Sequence, residues 1–552
     1  MKRPSLSEMT LREKIGQTAL GYPTSPGCAQ PERYPYGCIW GLGNLDMGVI
    51  NMADRAGEII TDLPDWVRRI EKLNRRLPVP VLQASDSTTG IHECFQETHA
   101  LMDCVTIGAT GSQELAYEAG VLRARLEKCV GGRWVWCPEI DLSNRRKGIM
   151  LGRQYSDDPD TLMRMALADM KGVQSQRVAA TAKHFPGCDG LEYRDAHVCE
   201  NMIVIPMDEW KATQGAMFKQ MIDAGVDSVM IAHAAFPACD PTMRQGRYLP
   251  ASVSRRIITD LLKGEMGFEG VVITDAVEMR SLATLFDADM NQVYIEAIKA
   301  GNDVVLGVRD SYFDAIEGAV LRGEIDESRI DDACRRVLNL KEKLGLFDDR
   351  YAPVDDDLEA VNAAVDDFNR RVARRAISLV CDRHSLLPLK QESIRRVSIV
   401  YSGHDSRVFD RLSVMKAAFE RRGAKVHMQR RLADIADIDA LARSSDLIVY
   451  AGYLMRYAPA GFSGFFGDEL RTFHYFMCAG AEKSLGIGLG SPFMYYDYYT
   501  ACPAFVNAYN ATPEMQEAVV AALYGEIPML GGEPFSLIPK EVRRYLEQLG
   551  LA

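Results

Sequence analysis

Short apolar runs alternate with amphipathic stretches over the first 345 residues of the chain. The amphipathic stretches carry apolar residues at helical spacing, as in 161–175 and 208–224, and Gly225 after the second is a typical helix stop. Repeated strand–helix–strand units predict a parallel sheet, and this many units predicts an N-terminal (β/α)₈ barrel of the TIM type over residues 1–345. Seven strands can be identified and one is missing; the seven are 36–42, 80–85, 133–139, 178–184, 227–233, 270–275 and 302–308.

The rest of the chain predicts a second, smaller α/β unit. Residues 346–392 begin polar and continue as an amphipathic helix, which indicates a connector. Residues 393–552 then predict a C-terminal α/β sandwich domain, with Thr512 as the N-cap and Pro513 as the first residue of one helix. The predicted strands are 396–401, 446–452, 484–490 and 504–508, and the predicted helices are 405–422 and 512–524.

The composition excludes several classes of partner. A net charge of −12 over 552 residues, without a Lys/Arg stripe, argues against nucleic acid and anionic membranes. The start of the chain fits a helix capping box at Thr10–Glu13 rather than a signal peptide, and no apolar run is long enough for a membrane span. The 13 scattered cysteines favour a reducing cytoplasm, and the absence of CxxC and HExxH motifs favours a protein that needs no metal or cofactor.

The main group of candidate functional residues lies in the stretch 178–197, VAATAKHFPGCDGLEYRDAH. Its first part is apolar and β-prone, and a Pro-Gly pair then ends the strand. Lys183 and His184 are therefore placed at the carboxyl end of a strand, where α/β barrels carry their active sites. In the loop that follows, Asp195 precedes His197 by two residues. A carboxylate there can orient the imidazole and raise its basicity, as a general acid/base requires.

A second stretch, residues 267–279 (GFEGVVITDAVEM), ends a buried strand in Thr274-Asp275. An aspartate at such a strand tip suits a carboxylate nucleophile. Together the two stretches resemble glycoside hydrolase family 3, and more narrowly its bacterial β-N-acetylhexosaminidase branch. That branch carries a KHFPG strand end, an Asp-x-His loop and a G-[FY]-x-G-V-[IV]-x-[ST]-D strand. The resemblance extends from about residue 10 to 345 and is weaker beyond.

The resemblance implies a retaining exo-β-N-acetylhexosaminidase that removes terminal β-linked GlcNAc from a small glycoside or oligosaccharide. Asp275 is implied as the nucleophile, His197 as the general acid/base and Asp195 as its orienting partner. Aspartate can accept hydrogen bonds from two adjacent hydroxyls and arginine offers a planar fork of donors, so both suit sugar binding. The implied substrate-binding residues are Asp86, Arg153, Lys183, His184, His233 and Met279, of which His233 and Met279 shape the pocket.

The chain departs from the branch at three places. Hexosaminidases usually follow the sugar-binding aspartate with Q-E-G-G-R, whereas this chain has 87–91, STTGI. Cys94 lies where an arginine of that segment is expected, and Cys188 lies where relatives often carry histidine. These differences put a peptidoglycan-recycling substrate in doubt but not the fold.

Other functions remain open. A phosphorylase would use phosphate instead of water, which a histidine acid/base permits because a glutamate would repel the anion. A β-glucosidase-type enzyme would take its acid/base from the second domain, where Glu469 follows the Gly- and aromatic-rich loop 457–468. An inactive sugar-binding protein is the alternative of another class.

The chain is expected to act as a monomer or homodimer. The stretch 486–492, GIGLGSP, is interpreted as a strand-to-loop turn and not as a nucleotide-binding motif.

Overall fold

The fold is described by a computed structural model of the chain. The described residues are 2–22, 25–42, 63–91, 95, 97–142, 152–187, 194, 197, 199–348, 357–403, 406–430, 432, 434–454, 464–465, 467, 469–470, 472, 480–536, 538 and 540–549.

The N-terminal part is a (β/α)₈ barrel, as the alternating pattern predicted. Its strands are β1 (Ala19–Gly21), β2 (Cys38–Leu42), β3 (Leu82–Ser85), β4 (Trp134–Val135), β5 (Thr181–Phe185), β6 (Ser228–Ile231), β7 (Val271–Thr274) and β8 (Val305–Leu306). They form a five-stranded parallel sheet of order β8-β1-β2-β3-β4 and a three-stranded one of order β5-β6-β7. Single bridges, Trp134 to Ala179 and Ile273 to Val304, join the two sheets into a ring.

The strand that the sequence did not reveal is β1. Three residues are too few to show a periodic pattern, yet β1 pairs in parallel with both β2 and β8. All three of its residues are buried. The barrel interior is filled by inward-facing side chains from several strands, among them Leu20, Leu82, Trp134 and Ile273. The barrel is therefore a packed core, and any site must lie at one of its ends.

Helices surround the barrel. They are α1 (Leu11–Gln17), α2 (Leu63–Arg76), α3 (Cys104–Ala109), α4 (Gln113–Cys129), α5 (Pro159–Ser175), α6 (Met207–Ala212), α7 (Gln214–Asp223), the π-helical Arg256–Glu265, α8 (Arg280–Ala283), α9 (Met290–Ala300), α10 (Ser311–Leu321) and α11 (Glu327–Lys343). The capping box predicted for Thr10 and Glu13 is present. The stretch predicted as one helix over 208–224 is two, because the backbone leaves the helical region at Thr213 (φ −116°, ψ −99°).

Helices α4 and α5 lie unusually close together. A Cβ atom on Gly120 of α4 would lie 2.2 Å from the backbone oxygen of Asp169, and one on Gly172 of α5 would lie 2.1 Å from that of Tyr117. Only glycine permits this approach at either position. The close packing brings charged side chains of the two helices into direct contact behind the barrel strands.

The C-terminal domain contains one six-stranded sheet. Its strands are β9 (Ser378–Asp382), β10 (Arg396–Ser402), β11 (Lys425–Arg430), β12 (Leu447–Gly452), β13 (Ser484–Gly488) and β14 (Ala504–Asn507), in the order β9-β14-β13-β12-β10-β11. β9 runs antiparallel to β14 and the other pairs are parallel. The helices of this part are α12 (Leu358–Ala376), α13 (Ser406–Arg411), α14 (Ser413–Glu420), α15 (Ile435–Ser444), α16 (Pro513–Leu523) and α17 (Lys540–Gln548), besides the π-helical Tyr495–Tyr499.

Two sequence details of this domain are confirmed and two strands were missed. Thr512 accepts a hydrogen bond from the backbone N–H of Met515 as the N-cap of α16, with Pro513 next to it. The 486–492 stretch is the end of β13 followed by a turn. β9 and β11 were not predicted, because each is a sheet edge with partly exposed residues rather than a continuous apolar run.

The end of the chain contacts the barrel next to the segment that carries Arg153. The backbone N–H of Asp157 donates to the carbonyl of Pro534 at 3.1 Å, and the Asp157 carboxylate accepts from the N–H of Ser536 at 3.0 Å. The N–H of Gly532 donates to the carbonyl of Ala109 at 2.8 Å. Among the helices that the structure describes, none combines the length and apolar character that a membrane crossing demands.

Candidate functional site

The candidate site lies at the carboxyl ends of the barrel strands. Asp86 follows β3, Lys183 and His184 belong to the last part of β5, and Asp275 follows β7 directly. Parallel strands of a barrel all end at the same rim, so residues far apart in sequence meet there. The backbone fixes the rim as well, because the N–H of Asp275 donates to the carbonyl of Ile231 at 2.9 Å.

Asp86 is held by two cationic side chains. Lys183 Nζ lies 2.6 Å from its Oδ1, and Arg153 Nη2 lies 3.4 Å from the same atom. Arg153 is itself held from the other side by the carboxylate of Glu139, 2.9 Å from its Nε. The side chain of Asp86 remains 18% exposed, whereas that of Lys183 is 1% exposed. One edge of this cluster therefore faces the barrel mouth and the rest is enclosed.

The two cations determine the charge of Asp86. Burial alone would raise the pKa of Asp86, but the charges of Lys183 and Arg153 more than offset it, so the pKa lies well below its ordinary value. Asp86 is consequently ionised at neutral pH. For the fully enclosed Glu139, burial outweighs the opposing effect of Arg153 and raises the pKa.

His184 connects this cluster to Asp275. Its Nδ1 lies 2.7 Å from Oδ2 of the buried Asp141, so the Nδ1 hydrogen donates to that carboxylate. The opposite ring nitrogen, Nε2, lies 3.9 Å from Oδ2 of Asp275. Asp141 thereby fixes both the ring orientation of His184 and the nitrogen that it presents to the site.

The carboxylate of Asp275 is oriented by the backbone and open on one side. Its Oδ1 accepts the backbone N–H of Ala276 at 2.7 Å, and its side chain is 21% exposed. Burial would raise the pKa of Asp275, but His184, His233 and His197 together outweigh it and lower the pKa. A carboxylate that is ionised, oriented by one N–H and open on one side can attack an electrophilic carbon.

His233 supports the strand tip from below. Its Nε2 donates to the carbonyl of Ala276 at 2.9 Å, which leaves Nδ1 to accept from the hydroxyl of Ser252 at 2.7 Å. The residue is buried, and burial lowers the pKa of His233 despite the nearby Asp275. Both ring nitrogens of the neutral imidazole are thus engaged by protein groups. His233 positions the residue after Asp275 and does not face the barrel mouth as a free acid or base.

The acid/base dyad expected from the sequence is described only in part. His197 is half-buried, and its backbone carbonyl accepts the N–H of Arg280 at 3.2 Å. The charge of a protonated His197 lowers the pKa of Asp275, which places the two side chains within electrostatic reach. Asp195 lies outside the described residues, as do Cys94 and Cys188.

Met279 and two tryptophans lie beneath the strand tips. Met279 is buried and packs in the same apolar cluster as Ala276 and Trp136. The half-buried Trp40 packs against this cluster, with its ring 5.2 Å from that of Trp136. Met279 therefore belongs to the apolar floor of the site.

Glu139, Asp141 and His184 form the one cluster within the described residues whose ligand atoms all lie within 4.8 Å of one another, as metal binding requires. Each member already has a protein partner: Asp141 and His184 bind each other, and Glu139 pairs with Arg153. We attribute the cluster to the orientation of His184 and Arg153.

Sequence reasoning missed Glu139 and Asp141. Both follow β4 in the run CPEIDL, and the polar residues after an apolar strand were the available signal. Glu469, the alternative acid/base, is 7% exposed and therefore enclosed. Most of the preceding loop, 457–468, lies outside the described residues.

Comparison with known proteins gives the same picture over most of the chain. Residues 43–340 match the sequence profile described as "Glycosyl hydrolase family 3 N terminal domain". A "Beta-N-acetylglucosaminidase/beta-glucosidase" of Cellulomonas fimi is 26% identical over 96% of this chain and 94% of its own length. A "Beta-hexosaminidase" of Stenotrophomonas maltophilia (strain K279a) is 33% identical over 46% of this chain and 73% of its own length.

Solved structures share the fold. A β-glucoside phosphorylase, BglX, superposes with a TM-score of 0.81 at 22% identity, covering 97% of this chain and 94% of its own. A glycoside hydrolase family 3 β-N-acetylglucosaminidase from Paenibacillus sp. str. FPU-7 superposes with a TM-score of 0.77 at 23% identity, covering 96% of this chain and 99% of its own.

Proposed function

Because this chain belongs to glycoside hydrolase family 3, we propose that it is a retaining exo-β-N-acetylhexosaminidase that removes terminal β-linked GlcNAc from small glycosides. The observation that carries the proposal is the ionised Asp275 at the tip of β7, with Asp86 and its two cations on the same rim. One carboxylate there can react and the other can bind the sugar.

In the first step Asp275 attacks C1 of the terminal sugar as the bond from C1 to the leaving oxygen breaks. Protonated His197 gives its proton to that oxygen, and a covalent glycosyl-enzyme remains on Asp275. The transition state resembles an oxocarbenium ion, whose positive charge the carboxylate stabilises. The lowered pKa of Asp275 keeps this carboxylate ionised, although burial by itself would raise that pKa.

In the second step water attacks C1 and neutral His197 accepts its proton. The bond from C1 to Asp275 breaks, so two displacements return the sugar with its original β configuration. Asp195 orients the imidazole of His197 and stabilises its protonated form.

Asp86 binds the sugar in this proposal. Lys183 and Arg153 hold its carboxylate at 2.6 and 3.4 Å, so that it can accept hydrogen bonds from two adjacent hydroxyls without reorganising. Arg153, held between Asp86 and Glu139, presents a planar guanidinium beside the sugar-binding carboxylate and reaches the hydroxyls or the 2-acetamido group. His184 presents Nε2 next to Asp275 and supplies a further contact to the sugar.

The names of the relatives favour GlcNAc as the sugar. The Cellulomonas fimi protein, which matches almost the whole chain, is named for both β-N-acetylglucosaminidase and β-glucosidase, and the Stenotrophomonas protein is named a β-hexosaminidase. The proposed preference is therefore for the 2-acetamido sugar over glucose.

The test is release of nitrophenol from the β-GlcNAc and β-Glc aryl glycosides, each with and without phosphate. We expect turnover of the GlcNAc compound, no stimulation by phosphate, and free β-GlcNAc as the first product in an NMR time course. Asp275→Asn is the control for contaminating activity.

Each alternative has its own outcome in this assay. Preference for the glucoside would replace the hexosaminidase by a β-glucosidase and move the acid/base to the second domain. A sugar 1-phosphate would make the protein a phosphorylase. Binding of GlcNAc without turnover of any glycoside would leave a sugar-binding protein.

A further inference from the structure

The turn that carries Asp86 is held from behind by a buried carboxylate. Ser85 and Ser87, the residues on either side of Asp86, both donate their hydroxyls to Oε1 of Glu127 on α4. The two serine oxygens are 2.9 Å apart. Glu127 has no solvent exposure, so this contact is sealed from the pocket.

A second side chain of α4 holds the next residue of the same turn. Arg123, one helical turn before Glu127, donates to the carbonyl of Thr88 from Nε at 3.2 Å and from Nη2 at 3.0 Å. Its third nitrogen, Nη1, donates to Oδ1 of Asp169 on α5. Both side chains of this ion pair are 0% exposed.

Asp169 continues the network to the segment that carries Arg153. Its Oδ2 accepts the hydroxyl of Tyr155 at 2.9 Å. Tyr155 is buried, and its backbone oxygen is so close to Gly108 that a Cβ there would lie 1.9 Å away. A continuous chain of buried hydrogen bonds therefore runs from the Asp86 turn, through Arg123 and Asp169, to the segment of Arg153.

We propose that Arg123 and Asp169, together with Glu127, are positioning residues that fix Asp86 and Arg153 relative to each other and thereby set the affinity for the sugar. The inference rests on the proposed function, in which Asp86 and Arg153 bind the substrate. None of the three positioning residues touches the substrate. Asp275 follows a different strand and lies outside this network. The network should therefore affect KM and not the rate of the chemical step.

The network has few ways to relax. Arg123 has no other carboxylate partner among the described residues, and a Cβ on Gly132 would lie 2.4 Å from Oε2 of Glu127. α4 and α5 are in backbone contact at Gly120 and Gly172, so neither helix can move toward the other. When a hydrogen bond of the network is lost, either the turn of Asp86 or the segment of Arg153 must therefore shift.

The experiment measures KM and kcat for the aryl glycoside that the wild type turns over, in three variants. Tyr155→Phe removes only the hydroxyl that Asp169 binds, and we expect KM to rise about fivefold with kcat within about twofold, the effect of one lost hydrogen bond. Arg123→Lys keeps the charge beside Asp169 but loses the fork on Thr88, and we expect KM to rise about tenfold. Because Arg123 and Tyr155 belong to one continuous hydrogen-bond network, the double variant should raise KM by less than the product of the two effects.

The matched control is Tyr312→Phe. Tyr312 is equally buried and its hydroxyl lies 2.6 Å from that of Thr18, near the amino end of β1 and away from the network. A general loss of packing would change both tyrosine variants alike, whereas the inference requires KM to change in Tyr155→Phe alone. Circular dichroism and unfolding midpoints establish that each variant is folded, and Tyr155→Phe decides the question if Arg123→Lys does not fold.

An unchanged KM in Tyr155→Phe, or effects that simply multiply in the double variant, would overturn the inference and leave the proposed function intact. A wild type without turnover of any glycoside would overturn the proposed function and this inference with it.

Discussion

The two ends of the barrel both bury charged side chains but leave them in different states. At the amino ends, Asp303 accepts from Lys263 Nζ at 2.7 Å, from Arg329 Nη2 at 2.5 Å and from the N–H of Val272 at 2.9 Å. At the carboxyl ends, Asp275 accepts one hydrogen bond from the part of the chain that the structure describes, the N–H of Ala276. Both carboxylate oxygens of Asp303 therefore accept hydrogen bonds from the protein. Of the two oxygens of Asp275, only Oδ1 accepts one from the described residues.

The difference in pairing between Asp303 and Asp275 distinguishes a charge that matters for stability from one that is available for function. Removal of one partner from a fully paired buried charge destabilises the fold, because the other charge is left buried and uncompensated. A partly paired charge at a strand tip contributes little to the fold, and its remaining capacity is available to a substrate. The pairing of these two aspartates thus differs in the way expected of a structural and a reactive carboxylate.

Asp275→Asn should give the largest effect on activity. We expect kcat to fall roughly 10⁴-fold, the size of loss seen when a nucleophile is removed, with the free energy of unfolding nearly unchanged. Steady-state kinetics and urea unfolding on one preparation measure both quantities. A large loss of stability without loss of kcat would contradict the assignment of the two rims.

The same substitution at the other rim, Asp303→Asn, should do the reverse. It removes one of the two carboxylates that Lys263 and Arg329 contact and leaves them with Asp332 alone, so we expect the free energy of unfolding to fall by about 3 kcal/mol. The kcat and KM of the molecules that remain folded should match the wild type. Activity titrated against the folded fraction during urea unfolding checks this, and reduced kcat in the folded fraction would count against the comparison.

Lys341 sharpens the comparison through pH. At the amino ends, its Nζ donates to Gln17 Oε1 at 2.6 Å and to the carbonyl of Gly37 at 2.8 Å. Burial lowers its pKa to about 8 from an ordinary value of 10.5. Between these two values the unfolded chain binds more protons than the folded one, so stability rises with pH.

We therefore expect the free energy of unfolding of the wild type to gain up to about 3 kcal/mol relative to Lys341→Met as the pH rises through this window. Urea unfolding of both proteins at intervals between neutral pH and the ordinary lysine pKa measures the difference, in which all other titrating groups cancel. Parallel curves would show that Lys341 stays protonated in the folded protein.

Glu139→Gln should give the smallest effect. The amide keeps the shape of the side chain but loses the charge that holds Arg153 Nε at 2.9 Å. We expect KM to rise about fivefold with kcat within about twofold, because part of the binding free energy is now used to order the side chain of Arg153. An unchanged KM would mean that Asp86 alone orients Arg153; Glu342→Gln, at an exposed ion pair with Arg3, is the matched control.

The sequence predicted the parts of the molecule that have a local signature. The barrel followed from repeated apolar runs, and the strand tips at Asp86, Lys183, His184 and Asp275 followed from polar residues after those runs. β1 escaped because three buried residues carry no period. The structure brings these four strand-tip residues to one rim, while their chemical roles stay predictions.

Residues that act through long-range contacts had no such signature. Arg123, Glu127 and Asp169 stand on the inner faces of two helices, where a sequence shows only charged residues within an amphipathic pattern. Their pairing depends on the glycines that let α4 and α5 approach, and on a turn located far away in the chain. Pairings of this kind depend on tertiary geometry and cannot be read from spacing.

The two hydrogen bonds between Asp157 and the end of the chain have a practical consequence. They tie the segment of Arg153 to residues 534–536, so the smaller domain is part of what keeps that segment in place. We expect loss of either hydrogen bond to appear as a rise in KM, so that residues far from the proposed catalytic ones help to set the affinity for the sugar.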